Sequence, residues 1–357
     1  KIFHRYKKIQ AALTKHELAH FTSWEKQVPT DTQILRILQE PVIKFLPPPE
    51  DSFLTVNLDL SYIENMRAVM EWKQLKYDSK CMTSKFLLKL APIRARYVKI
   101  RYLCELYNSI VKRLSEKEIL LLENSINEVK NLIIAALPRC TWSTENVEKI
   151  YTEWLRNVVI LRDLSVAFKS LDGNIDSACE KLQKALLMKN TKIFHQNFDD
   201  IKDLLEANKN ESLDVMKEAS RSIVSNLYAL HRKIKYGETT PRNWSIYVTD
   251  VIEKFKVSIV KNIQASLKAS LNVLREAESC PLFQVDVTLS DEDSIIFTPE
   301  PSEIMDLLRK FIPITNDEIY GIDEFSRVLK FGTGGQNDEN FIDSNEYINS
   351  LRVKIET

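Results

Sequence analysis

The sequence predicts a mainly α protein: consecutive antiparallel helical bundles forming an elongated stalk, with one short extended segment at about 54–58 and one β-hairpin at about 282–298. Three observations carry this. Only six glycines occur in 357 residues, against a usual share of roughly 7%. Nine of the twelve prolines lie before residue 50 or after residue 280, so the middle holds few helix breakers. Through that middle, apolar residues advance by three and four, the spacing of one helix face.

Residues 1–28 read as a helix with Ile9, Leu13, Phe21 and Trp24 as candidate buried positions, stopped by Pro29 and followed by a shorter helix over about 32–40. Phe45-Leu-Pro-Pro-Pro49-Glu-Asp-Ser52 reads as a linker, because three prolines forbid helix and lack ladder donors. Leu54-Thr-Val-Asn-Leu-Asp59 is extended and runs into a helix, Leu60 to Tyr77, that carries Trp72.

Leu90, Ile93, Tyr97, Ile100, Cys104, Tyr107, Val111 and Leu114 then form a heptad seam. Ser115-Glu-Lys-Glu118 has capping-box spacing and opens a second seam of Ile119, Leu122, Ile126, Val129, Ile133 and Ala136. So short a connection predicts two antiparallel helices packed face to face. Pro138 ends the second of them.

The next helix carries Val147, Ile150, Trp154, Leu161 and Phe168, with Asp172-Gly173 as its expected break and a shorter helix from Ile175 to about Met188. A long helix from Phe198 to Tyr236 and another from Arg242 to Ala277 follow, with Gly237 placed to cap the first and Thr240-Pro241 to start the second. The period then changes from 3.6 to 2. Phe283, Val285, Val287 and Leu289 alternate with polar residues, and Ile295 to Thr298 makes a second strand. This predicts a hairpin half buried on its apolar face. A helix over 302–311 and short irregular pieces complete the chain.

Lys+Arg and Asp+Glu are both 50. A balance of zero leaves no broad electrostatic footprint for nucleic acid or an anionic membrane, so proteins are the expected partners. The longest apolar runs fall far short of the ~20 residues that span a bilayer. Five cysteines, at 81, 104, 140, 179 and 280, have neither zinc spacing nor the density of a disulfide framework, and read as reduced thiols. The chain starts at Lys1 without methionine and ends in polar sequence, and reads as a piece of something larger.

Candidate chemistry is sparse. His16-Glu17-Leu-Ala-His20 matches the zinc-protease spacing, in which two imidazoles one helical turn apart bind the metal and the glutamate acts as base. The chemistry needs a third ligand. The extended pattern fails at Ser23 and Lys26, so His16, Glu17 and His20 read as a decoy on a partly exposed helix, with one histidine covering the core. Phe331-Gly-Thr-Gly-Gly lacks the Lys-Ser/Thr that a phosphate loop requires. His195 and His231 stand singly on helical stretches, Asp199-Asp200 sits where carboxylates favour a helix start, and the five tryptophans suit core packing with the indole N–H turned to a partner. No catalytic, cofactor or metal site is expected.

One family resemblance accounts for the landmarks together. Val56-Asn57-Leu-Asp-Leu60 followed by Met70-Glu-Trp72-Lys-Gln-Leu75, then Cys140-Thr-Trp142-Ser143, then Trp244 and Tyr247, then Pro281-Leu-Phe283 through Leu289 and Ile295-Ile-Phe297-Thr-Pro-Glu-Pro301 resemble, in the same order, the N-terminal tail of dynein heavy chains. The hairpin element resembles the axonemal form more than the cytoplasmic one. Leu58 in place of phenylalanine, Leu60 in place of proline and Cys140 in place of leucine depart from the family pattern.

The resemblance implies a non-catalytic tail segment, without cofactor, whose parent is an ATP-driven microtubule motor with its nucleotide sites elsewhere. It implies intermediate chains, light chains, other heavy chains and docking factors as partners, and an axonemal location in a cilium or flagellum. The domains expected are 1–52, a helical segment and Pro-rich linker; 53–140, a bundle with the tryptophan helix and heptad hairpin; 141–237, a long-helix bundle; 238–312, a helix with the β-hairpin; and 313–357, irregular sequence. The Pro47–Pro49 region and Gly237 are the expected joints. A helical-rod subunit of a vesicle-tethering complex would be equally glycine-poor but without the hairpin, and a zinc hydrolase would use His16, Glu17 and His20.

Overall fold

The computed structural model describes residues 1–28, 31–47, 53–77, 84–187, 197–235, 237–276, 285–289, 294–311 and the single positions 324, 327, 328, 350, 353 and 354. Phe283, Cys81, Cys280, His195, the Pro48–Pro49 end of the linker and the glycine-rich stretch near 332 lie outside them. The chain divides into two compact units, Lys1–Ser165 and Val166–Thr357.

The first unit contains α1 (Ile2–Gln27), α2 (Asp31–Leu38), β1 (Ile43–Phe45), β2 (Leu54–Val56), α3 (Leu60–Gln74), α4 (Ser84–Lys112), α5 (Glu116–Ala136) and the start of α6 (Val147–Lys184). The heptad prediction holds on α4, where Ile93, Tyr97, Ile100, Cys104 and Tyr107 are all buried. Leu103 and Ile110 are buried too, so the stripe is wider than a single seam. On α5, Leu122, Val129 and Ile133 are buried but Ile119 is exposed.

The capping box is present as the spacing predicts: Ser115 Oγ accepts from the Glu118 N–H, and the Glu118 carboxylate accepts from the Ser115 N–H at 2.9 Å. That first turn faces inward, and the buried Glu118 also accepts from Ser165 Oγ at 2.6 Å. Ile119 therefore points out while Glu118 is held inside by hydroxyl and amide donors.

One strand goes beyond the expected linker. β1 pairs antiparallel with β2 in the register Ile43↔Val56, Lys44↔Thr55, Phe45↔Leu54. At the other end of the unit, Ile9 and Leu13 are exposed where burial was expected, and only Phe21 of α1 is buried. Phe21 and Trp24 meet Trp72 and Tyr77 from α3 and its end, with ring centroids 4.8–6.1 Å apart. Lys76, in the left-handed region at φ 63°, turns the chain so that the Tyr77 N–H bonds back to the Trp72 carbonyl.

In the second unit α6 continues past the boundary and is followed by α7 (Phe198–Lys233), α8 (Thr240–Glu276), β3 (Asp286–Leu289), β4 (Ile295–Thr298) and α9 (Pro301–Phe311). Gly173 does not break α6, which runs unbroken for 38 residues. A helical glycine costs roughly 1 kcal/mol relative to alanine. Burial of Phe168 on one side of it and Ile175, Cys179 and Leu182 on the other outweighs that cost.

Hydrogen bonds fix the helix directions. Asp172, Asp176, Gln183 and Leu187 meet Tyr247, Lys254, Ser258 and Ser266 in ascending order, so α6 and α8 are parallel. Asn174 meets Asn226 and Leu186 meets Ser212, so α7 runs antiparallel to α6. The result is an up-down-up bundle.

Gly237 lies three residues beyond the α7 end cap, and its N–H donates to Thr240 Oγ1 at 2.8 Å. It shapes the entry to α8 and not the end of α7. The β3–β4 hairpin forms as predicted, with Val287↔Phe297 and Leu289↔Ile295 on its apolar face, but every residue of both strands is exposed. The expected half burial is thus overturned: alternation shows which face is apolar, not what covers it. Among the described residues no helix is long and apolar enough to cross a membrane.

Candidate functional site: a tryptophan-locked ribbon

Where β2 ends, four segments converge. The Asn57 N–H donates to the Val42 carbonyl at 3.0 Å, and the Val42 N–H donates to Cys140 O at 3.0 Å. Asn57 Nδ2 donates to Pro41 O at 3.0 Å and to Glu40 Oε2 at 3.3 Å. The Asn57 carbonyl in turn accepts the indole N–H of Trp142 at 3.1 Å. Trp142 is 1% exposed, and its own carbonyl accepts from Arg96 at 2.7 Å.

On the other edge of β2, Asn108 from α4 closes a two-point bond: its Nδ2 donates to the Leu54 carbonyl at 2.7 Å while its Oδ1 accepts the Leu54 N–H at 2.8 Å. Every one of these groups would be costly to bury unpaired. The ribbon is an internal spacer fixed by side chains from α4 and from the turn before α6.

Val56, Asn57 and Trp142 therefore come together, though 85 residues separate the last two. Trp244 and Tyr247 form a second cluster, 5.8 Å apart, with His231 4.9 Å from Trp244 and Phe168 5.7 Å from Tyr247. Tyr247 Oη donates to Asp172 Oδ1 at 2.8 Å. Burial pushes its phenol far above the ordinary tyrosine value, and the Asp172 charge adds to that. Trp72 sits in the aromatic group of α1 and α3, and Phe297 is exposed on β4. The indole N–H groups of Trp24 and Trp154 are buried without a hydrogen-bond partner, so the expectation that each tryptophan turns its N–H to a partner fails for these two.

Sequence reasoning missed Asn108, Arg96 and a polar row on α8. Ser258, Asn262, Ser266 and Ser270 recur every fourth residue and are all buried. Asn262 Nδ2 donates to Leu182 O and Ala185 O at 2.7 and 2.6 Å, closing the open end of α6. Ser266 Oγ accepts the Leu187 N–H, and Ser212 of α7 donates to Leu186 O. The fourfold spacing beside an apolar stripe was the available signal.

The chemistry of the remaining groups is quiet. His16 and His20 stand side by side on α1, centroids 4.5 Å apart and both exposed, so neither covers the core. Among the described residues no group of three or more histidine, cysteine or carboxylate side chains could hold a metal. Burial pushes the Cys104 thiol up to about 12 and Cys140 up to about 11, and raises Cys179 as well. Thiols held in that form are poor nucleophiles. A cleft of about 510 Å³ in the second unit is bordered by Asp199, Asp286, Glu303 and Asp306, with Lys202 among them.

Residues 1–151, which contain the whole ribbon and Trp142, match the family model for dynein heavy chain, N-terminal region 1. Over these residues the chain is similar to the N-terminal region of dynein heavy chains. Dynein axonemal heavy chain 8 of Mus musculus is 24% identical over 224 residues, covering 62% of this chain and 5% of the relative. The Homo sapiens protein of the same name is 20% identical over 223 residues, again 62% and 5%. Dynein axonemal heavy chain 9 of Homo sapiens is 20% identical over 300 residues, 82% of this chain and 6% of the relative. The chain spans only 5–6% of the length of these relatives. The matched family model is that of the heavy chain's N-terminal region, which is not its ATPase part.

Proposed function

We propose that this tail segment is a non-catalytic scaffold in an axonemal dynein. It holds the microtubule motor at a set distance from its anchorage, transmits load, and presents surfaces to intermediate chains, light chains, neighbouring heavy chains and docking factors in a cilium or flagellum. The observation that carries this reading is the locked ribbon inside the matched residues 1–151. An extended element fixed on both edges by Asn57, Asn108 and Trp142 resists shear in a way that two helices packed only by side chains do not. Among the described residues, the raised thiols and the exposed His16 and His20 belong to no cluster of three or more groups that could hold a metal.

The vesicle-tethering alternative is disfavoured by the 286–298 hairpin and by the family match. The deciding experiment deletes this segment from the full-length heavy chain in ciliated cells. We expect a heavy chain whose motor domain still hydrolyses ATP but which no longer co-sediments with intermediate chains or enters the axoneme. A deleted chain that assembles as well as the intact one would overturn the proposal.

A further inference from the structure

All of the first twenty residues of the chain are exposed, although they form most of a 26-residue helix. Isolated helices are marginal in water, and in proteins their stability comes chiefly from packing an apolar face. α1 has such a face. Ile2, Tyr6, Ile9 and Leu13 are 86%, 61%, 60% and 60% exposed. Their steps of four, three and four place them within an arc of about 60° on the helix surface. His16 and His20 continue the same steps, so the zinc-protease spacing is the tail of this seam.

The charge beside the seam is one-sided. Lys1, Arg5, Lys8 and Lys15 fall along one border, and the first sixteen residues hold five Lys or Arg and no Asp or Glu, in a chain that is neutral overall.

We propose that the seam Ile2/Tyr6/Ile9/Leu13 docks one helix of a different polypeptide, a helix with its own three-four apolar seam and a border of Asp and Glu. This deepens the scaffold reading, on which it rests, by giving the chemistry of one partner surface. An antiparallel second copy of α1 would set basic border against basic border, and like charges across a coiled-coil seam disfavour pairing. An interfacial membrane helix needs an apolar face wider than this single row.

The test uses the purified chain and two synthetic helical peptides of about four heptads, both with leucine seams, one bordered by glutamate and one by lysine. Fluorescence anisotropy should show the glutamate-bordered peptide binding at least tenfold tighter, with affinity falling as salt rises. Ile9→Ser with Leu13→Ser should cut that affinity at least tenfold while leaving the far-UV spectrum unchanged. Arg5→Glu with Lys8→Glu and Lys15→Glu should invert the peptide preference. Equal binding of the two peptides, or binding indifferent to both variants, overturns the proposal. So does a dimer of the chain that Ile9→Ser/Leu13→Ser abolishes in sedimentation equilibrium, or capture by phosphatidylserine vesicles without peptide binding. Each of these failures would leave the deletion experiment on the heavy chain unaffected.

Discussion

Two ribbons of nearly equal size behave oppositely in this protein. β1–β2 has three paired positions, and Ile43 and Leu54 within it are 1% exposed. β3–β4 has four paired positions, and all of its residues are exposed. The shorter ribbon is the protected one, because α4 and the Trp142 turn supply donors and acceptors to both of its edges. A two-stranded hairpin in water is marginal on its own. Strand length and apolar content therefore say little about which ribbon is part of a core. Side chains reaching in from distant elements decide it.

Substitutions can sharpen the contrast. Trp142→Ala should be the most damaging, by roughly 3–5 kcal/mol, since it empties the junction and strands the Asn57 carbonyl; urea unfolding followed by fluorescence of the remaining tryptophans would measure it. Asn108→Ala should cost about 2 kcal/mol through two unpaired backbone groups on β2, and hydrogen exchange at Leu54 should rise with it. If Asn108→Ala leaves exchange at Leu54 unchanged, the locked-ribbon account fails.

In the second unit, Asn262→Leu should cost about 1–3 kcal/mol, because two α6 carbonyls lose their donor; the amides of the last α6 turn would report it. Leu289→Thr on the exposed hairpin should stay within about 0.5 kcal/mol, with thermal unfolding unchanged. A large loss there would mean that the apolar face is already covered.

A pH titration separates a buried thiol from this background. Cys104 rises from its ordinary 9.0 up to about 12 on folding. Its contribution is fully present below pH 9 and is lost as pH climbs from 9 toward 12, at up to about 1.4 kcal/mol per pH unit. Cys104→Ala should flatten that part of the curve relative to the parent chain.

Much of the architecture was readable because it is written in helical periodicity. The α4 stripe of Ile93, Tyr97, Ile100, Cys104 and Tyr107, the capping box at Ser115, and the β3–β4 alternation all appear where local spacing places them. What escaped was non-local. β1 is three residues long and acquires its meaning only from Leu54–Val56 across a proline stretch. Gly173 looked like a stop because propensity is local, while burial on either side of it is set by α8 and its neighbours. Ser258, Asn262, Ser266 and Ser270 are buried, against the usual exposure of polar residues, and only their fourfold spacing marks them for it. Ile9 and Leu13 show the converse, an apolar stripe that the described residues leave exposed. Of the junction, Asn57 and Trp142 were identifiable from the sequence, but their bond spans 85 residues and the part played by Asn108 could not be read from spacing.

The cap on α6 has a consequence for how the protein is made. The donor that satisfies Leu182 and Ala185 comes from Asn262, and the acceptor for Leu187 from Ser266, some 80 positions later in the chain. A ribosome delivers residues in order, and domains fold as units during synthesis. α6 therefore emerges with a frayed end, and it stays so until most of α8 has been translated. Premature termination within residues 240–276 would release a chain whose earlier helices are present yet unfastened, a natural target for quality-control proteases.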